Sequence, residues 1–284
     1  MRLSCFKRRV LIACLCLPAF AIGATRHGEW TLSGSRNPGT VRISFQSADD
    51  DEHHFNSSSD WKLADLQGLE WPASGKRDVS FKIVRDAGTI ECNGFLSGNE
   101  GAGLFTFQSN SGYAREMAAL GFSGINDEKQ FAFAMHDVSL RFAREIKAAG
   151  IQNIDTDKLL AFRIHGVSPE FIKSIQAAGV AERDANKLIA FRIHGVSPEF
   201  VRDLNSSGVN TTNSDKLIAF RIHGVSAEYV KELQRLGYSH PEPDKLIALR
   251  IHGVTPDYIE GLRSHGMRNL TLDQLVSLRI HGIN

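Results

Sequence analysis

The sequence predicts an α+β fold, with a small N-terminal β domain over residues 25–109 and then an α-solenoid of about six 29-residue helical hairpins over residues 110–284. Two observations carry this. The segment Lys158-Leu-Leu-Ala-Phe-Arg-Ile-His-Gly-Val-Ser-Pro-Glu-Phe171 recurs nearly intact from Lys187, Lys216 and Lys245, with a partial copy from Gln274, always at a step of 29 residues. A period held without a slip is the mark of a repeat array. Ahead of the array, short apolar runs of strand length alternate with clusters of Gly, Asn, Asp and Ser.

The chain opens on Arg2, Lys7, Arg8 and Arg9, followed by an apolar run from Val10 to Ala24. This reads as a secretory signal peptide, residues 1–24, with cleavage after Ala21, Gly23 or Ala24. The run offers about 15 residues and contains Pro18, against the roughly 20 that a spanning helix needs, so no membrane span is expected after cleavage. Leu11-Ile12-Ala13-Cys14 spells a lipoprotein-like box, but too few apolar residues separate Arg9 from Cys14 to form a signal core. Removal of this segment takes Cys5, Cys14 and Cys16 with it and leaves 29 basic residues against 32 acidic ones. Cys92 then remains as the one thiol, and in an oxidising compartment it has no partner for an intramolecular disulfide. Its place in Thr89-Ile90-Glu91-Cys92 suits a buried structural residue better than a reactive thiol. A 42% hydrophobic content excludes a disordered chain, and the balanced charge gives no basic bias toward nucleic acid.

In the β domain, strands are expected at Trp30-Thr-Leu-Ser, Val41-Arg-Ile-Ser-Phe, Val79 to Val84, Ile90 to Phe95 and Leu104-Phe-Thr-Phe, with Gly98-Asn-Glu-Gly101 as a hairpin turn. The acidic run Asp49-Asp50-Asp51-Glu52 before His53-His54 has no second cluster at ligand spacing, so it reads as an exposed loop.

Each repeat reads as two short helices. Asn126, Asp155, Asp184, Asn213 and Thr271 stand at N-caps of the first helix, and Glu242, a poor cap, is followed by Pro243. Gly166, Gly195, Gly224, Gly253 and Gly282 close that helix in left-handed conformations. The second helix opens at Asn110, Ser139, Ser168, Ser197, Ser226 and Thr255, and Gly121, Gly150, Gly179, Gly208, Gly237 and Gly266 end it. On the first helix, Leu159, Leu160, Ala161, Phe162 and Ile164 cover most of the circumference, so enclosure on several sides is expected. On the second, Phe171, Ile172, Ile175 and Ala178 form a single stripe.

Copies within one chain separate scaffold from surface: what is fixed serves the stack, and what varies is free to recognise a partner. Fixed in every copy are Arg163, Arg192, Arg221, Arg250 and Arg279, with His165, His194, His223, His252 and His281. As a structural ladder, the histidines would cap helix ends and the arginines would meet backbone carbonyls or Glu170, Glu199, Glu228 and Asp257. As a functional ladder they would bind a polyanion or metal, but histidines one repeat apart lie about 10 Å from each other, too far to share an ion. The varying charges of the second helix, Lys173, Arg202, Asp203, Lys231, Glu232, Arg235, Glu260 and Arg263, offer a surface for a protein or peptide. Leu275, Val276, Leu278 and Ile280, with no hairpin after them, suggest self-association through the C-terminal face. No metalloprotease, nucleophile-elbow or phosphate-loop motif is present, and no catalytic residue, cofactor or metal site is expected.

Asp86-Ala-Gly-Thr, Gly94-Phe-Leu-Ser-Gly, Gly103-Leu-Phe-Thr-Phe and the repeated Leu-Ile-Ala-Phe-Arg-Ile-His-Gly-Val together resemble the extracytoplasmic C-terminal repeat region of some M56-type, beta-lactam sensor-like bacterial membrane proteins. They are also similar to secreted bacterial repeat proteins of unassigned function. The peptidase part is missing, so the resemblance implies an envelope-facing module and no proteolysis. The expectation is a periplasmic or extracellular, non-enzymatic interaction or sensing module. The alternatives are an enzyme with its site at the junction of the β domain and the solenoid, or a structural envelope protein.

Overall fold

The computed structural model describes residues 25–48 and 54–283. The expected signal segment and the run from Asp49 to His53 lie outside the described residues.

Six antiparallel strands come first: β1 (Thr25–Gly34), β2 (Thr40–Ala48), β3 (His54–Lys62), β4 (Lys76–Arg85), β5 (Gly88–Ser97) and β6 (Glu100–Ser109), in the sheet order β3-β2-β1-β6-β5-β4. Five of them contain the expected apolar runs, and Gly98, with φ 60°, makes the turn between β5 and β6. The third, His-Phe-Asn-Ser-Ser-Ser-Asp-Trp-Lys, has no apolar alternation to announce it. It is an edge strand paired with β2 alone, and Trp61 is its large buried side chain.

Alternate residues of the strands turn inward, among them Trp30, Ile43, Phe45, Phe81, Ile90, Cys92 and Phe105, and none is more than 1% exposed. Burial pushes the Cys92 thiol far above its ordinary pKa, which makes it an inert core residue. The sheet curls around these side chains far enough for a backbone link between its two edges, and Gly94 faces Gly103 across β5 and β6. A Cβ on Gly94 would stand 2.1 Å from the Ala102 carbonyl oxygen and 2.8 Å from the Trp30 ring. The chain after β3 passes through a short 3-10 turn at Leu63–Asp65, and Gln67 then exchanges two 2.9 Å backbone hydrogen bonds with Lys82 of β4. That strap links the chain leaving the β3 edge to the β4 edge at one point and covers part of the latter.

Twelve helices follow among the described residues: α1 (Tyr113–Ala119), α2 (Asp127–Met135), α3 (Leu140–Ala148), α4 (Thr156–His165), α5 (Pro169–Ala177), α6 (Ala185–His194), α7 (Pro198–Ser206), α8 (Ser214–His223), α9 (Ala227–Arg235), α10 (Pro243–Ile251), α11 (Pro256–Ser264) and α12 (Leu272–Ile280). Even-numbered helices stack on one another in one layer and odd-numbered ones in a second. Asn126, Asp155, Asp184, Asn213 and Thr271 accept first-turn backbone N–H groups as N-caps, whereas Glu242 makes no side-chain cap. Ser139, Ser168, Ser197, Ser226 and Thr255 cap the odd helices in the same way. Asn110 does not: the helix begins two residues later, with Gly112 at the cap, because Asn110 closes a turn through its carbonyl to Tyr113 N and its side chain to Gly112 N.

The sheet and helices share one core. Phe131 of α2 stacks on Phe105 with ring centroids 5.8 Å apart, and lies 5.1 Å from Phe107 and 4.9 Å from Phe55. Beside it, the Gln130 amide donates to the carbonyls of Ala87 and Asn110, and the Asp86 carboxylate receives the Leu140 N–H at the start of α3.

The even helices are enclosed on several sides, but one face is left open. Leu159 and Phe162 are fully buried and Leu160 is half-buried, but Ile164 is exposed. Neighbouring elements cover the faces of α4 that carry Leu159 and Phe162, and the face that carries Ile164 points outward. The C-terminal helix also differs from expectation. Leu275 is buried and Val276 and Leu278 are half-buried, so the end is only partly open. Among the described residues no helix is long and apolar enough to cross a membrane.

Candidate functional site

Four groups meet wherever one hairpin stacks on the next. The last carbonyls of a helix lack intrahelical donors, and the arginine of the following repeat supplies one. Arg192 Nε donates to His165 O (3.1 Å), Arg221 Nε to His194 O (3.3 Å) and Arg250 Nε to His223 O (3.2 Å). Each guanidinium also lies over an aromatic ring of the preceding odd helix: Arg163 over Phe142, Arg192 over Phe171, Arg221 over Phe200, Arg250 over Tyr229 and Arg279 over Tyr258, at 4.5–5.1 Å. The helix-closing glycine completes the lock, since a Cβ on Gly166, Gly195 or Gly224 would come within 2.9 Å of that guanidinium. For Arg192, Arg221 and Arg250, carbonyls and rings are the partners, and for none of these or Arg163 is the partner Glu170, Glu199, Glu228 or Asp257.

The first copy alters this lock. Asp137 stands in place of the glycine, holds φ 53°, and turns the close approach into an ion pair with Arg163 Nη2 at 2.7 Å. A second ladder runs alongside, in which Lys129 pairs with Asp157, Lys187 with Asp215, Lys216 with Asp244 and Lys245 with Asp273. Asn186 interrupts it, and Lys158 turns back to Asn153 O and Asp155.

The histidines use their backbone carbonyls in this scheme, and their rings are largely spare. Among the five, the His281 ring alone donates to a carbonyl, from Nδ1 to Ser277 O at 2.8 Å. Those of His165, His194 and His252 are exposed and that of His223 is half-buried. Among the described residues no three His, Cys, Asp or Glu side chains gather to hold a metal ion.

Beside each histidine stands an isoleucine that the stack does not use. Ile164, Ile193, Ile222, Ile251 and Ile280 are 52–58% exposed, one per repeat, on the outward face of the even helices. Leu160, Ile189, Ile218, Ile247 and Val276 flank them half-buried. The result is a continuous apolar stripe across five repeats, bordered by imidazoles and by the lysine–aspartate ladder. Equality between copies drew these isoleucines into the scaffold, yet nothing in the scaffold touches enough of them to require the residue.

The varying charges of the odd helices are mostly engaged within the chain. Arg202 pairs with Glu199 (2.7 Å), and Arg235 with Glu232 (2.9 Å) and, across a repeat, Glu260 (2.8 Å). Arg263 Nη2 donates to Leu236 O (2.5 Å) and its guanidinium lies over Tyr238, so it caps the preceding helix. Lys147, Asn205 and Gln234 serve the same end at the equivalent position, which varies in residue and donates a hydrogen bond in these four copies. Lys173, Asp203 and Lys231 remain exposed.

At the junction of sheet and helices lies an open cleft of about 460 Å³ whose wall includes Trp61, Asp65, Arg85, His136, Asp137 and Arg163. Its charges pair with each other: Arg85 with Asp65 (3.0 Å) and Asp137 (3.5 Å), and Arg163 with Asp137. This network clamps the first hairpin to the sheet. Burial, and then the Arg163 guanidinium, hold His136 below the ordinary histidine value. Such a histidine is protonated earlier in the unfolded chain, so the stability it contributes is complete at neutral pH and declines as pH falls through about 6.5. His136→Gln is therefore expected to lose less of its urea midpoint between about pH 7 and pH 5 than the parent protein. Equal losses would assign the titration to other groups.

No protein-family model matches the chain, and no curated protein matches it.

Proposed function

We propose that the chain is a secreted, non-enzymatic interaction module of the cell envelope, and that it binds a protein partner across the outer stripe of its even helices. The exposed row of five isoleucines carries this reading. A contiguous apolar stripe is costly to leave in water and marks an interaction surface in soluble domains. Solenoids present extended faces of this kind, built from equivalent positions of successive repeats. The Arg–Gly–His lock and the lysine–aspartate ladder hold the stack together without the isoleucines, which leaves their recurrence to be explained by binding. The basic-then-apolar segment at residues 1–24 supports export, and the resemblance to envelope-facing repeat regions supports the compartment.

The test is crosslinking in envelope extracts. Ile193→Glu, Ile222→Glu and Ile251→Glu combined are expected to reduce partner crosslinks at least about tenfold. Reversal of Arg202 and Lys231 to glutamate, on the odd helices, is expected to leave them. If the row variant retains the crosslinks of the parent, the proposal fails.

A further inference from the structure

The isoleucine row continues a face that the molecule itself already covers. Phe131 and Met135 of the first copy occupy the positions of Leu160 and Ile164 in the second. Both are buried, Met135 at 6% exposure, where α2 packs against the sheet. From Ile164 onward the same face is uncovered. We infer that this uncovered face is a homodimer interface, in which two copies of the chain pack antiparallel with their isoleucine rows opposed. The inference rests on reading the row as a docking surface, and names its occupant.

Three features select a second copy. Stacked helices lie about 8–10 Å apart, so a partner meeting all five isoleucines must itself present apolar groups at that interval, and the chain's own row does so by construction. A twofold axis then sets Ile222 opposite itself, Ile193 opposite Ile251 and Ile164 opposite Ile280, a pattern that closes without leftover groups. The bordering charges are already neutralised inside each copy, in the pairs Lys187–Asp215, Lys216–Asp244 and Lys245–Asp273, so opposing them brings no unpaired like charges together. The area is also adequate. Helices about 14 Å long at about 9–10 Å spacing give a five-repeat face of roughly 650 Å² per copy, close to the ~800 Å² per partner of a standard stable interface.

Sedimentation of the exported, purified protein at pH 8, from about 1 to 100 µM, tests this directly. A dimer is expected, weakened about 100-fold by Ile193→Glu with Ile251→Glu, which oppose one another. Circular dichroism should be unchanged by these exposed substitutions, and the melting temperature should equal that of the parent at a concentration where the parent is dissociated. Register is tested by single cysteines in the same exported protein, where Cys92 is buried and silent. Ile222→Cys should crosslink to itself, whereas Ile164→Cys should crosslink only when mixed with Ile280→Cys. A protein that stays monomeric, or an Ile164→Cys that self-crosslinks as well as Ile222→Cys, overturns the inference. A monomer whose row still captures a foreign envelope protein would overturn self-pairing and leave the docking reading standing. A monomer whose glutamate variants crosslink in extracts like the parent would overturn both.

Discussion

Phe131→Ala is expected to lower stability by about 3–5 kcal/mol, the range for removing a fully buried aromatic ring from a packed core. The ring is 1% exposed and meets Phe55, Phe105 and Phe107, so its loss opens a cavity where α2 meets the sheet. A second consequence follows from position. Phe131 is the main apolar bond between the curled sheet and the helical stack, so without it the two parts are expected to unfold separately in urea. Tryptophan fluorescence reports the β domain, which holds Trp30 and Trp61 on strands and Trp71 in the connection before β4, and circular dichroism at helical wavelengths reports the repeats. Coincident transitions at the parent midpoint would refute this account of the junction. Ile222→Ala, by contrast, removes a side chain that is 54% exposed in the single chain, and at a concentration where the parent is dissociated it should shift stability by no more than about 0.5 kcal/mol.

Gly195→Ala is expected to lose about 2–3 kcal/mol, for two separable reasons. At φ 73° a side chain costs about 1–2 kcal/mol in the left-handed region. The new Cβ would also stand 2.9 Å from Arg221 Nη2, displacing a guanidinium that donates to His194 O and lies over Phe200. The first copy shows how to relieve this, because Asp137 occupies the equivalent position at φ 53° and pairs with Arg163. Gly195→Asp is therefore expected to be less destabilising than Gly195→Ala, although it is the larger substitution. Urea midpoints in the order parent, Asp, Ala would support the lock, and an alanine variant that outlasts the aspartate variant would break it.

The N-caps and glycine closures were legible because they are local: a serine or aspartate meets the N–H three residues on, wherever the helix sits. The buried stripe Phe171, Ile172, Ile175 and Ala178 was legible for a related reason, since period alone places it on one side. Asn110 misled because its bonding capacity closed a turn instead of a helix. Strand β3 was silent, since an edge strand with Ser57, Ser58 and Ser59 needs one good apolar anchor, Trp61, and no alternation. Alignment at the 29-residue step sets Asp137 of the first copy against Gly166, and Gln130, Phe131 and Met135 against Leu159, Leu160 and Ile164, which was visible in the sequence. What they dock onto was not, because the sheet residues that receive them are distant in sequence.

By itself the sequence determined a β segment followed by a 29-residue helical array, along with where most helices begin and end, because propensity, capping and glycine conformations act over a few residues. Tertiary structure alone decided which fixed positions are scaffold and which are surface. Arg192 and Ile193 are adjacent and equally constant, yet one is locked between repeats and the other faces outward. Constancy records that a residue is needed in each copy, whereas burial depends on which side of the helix the next copy covers. That placement is set by the stacking of whole hairpins, and no single repeat contains it.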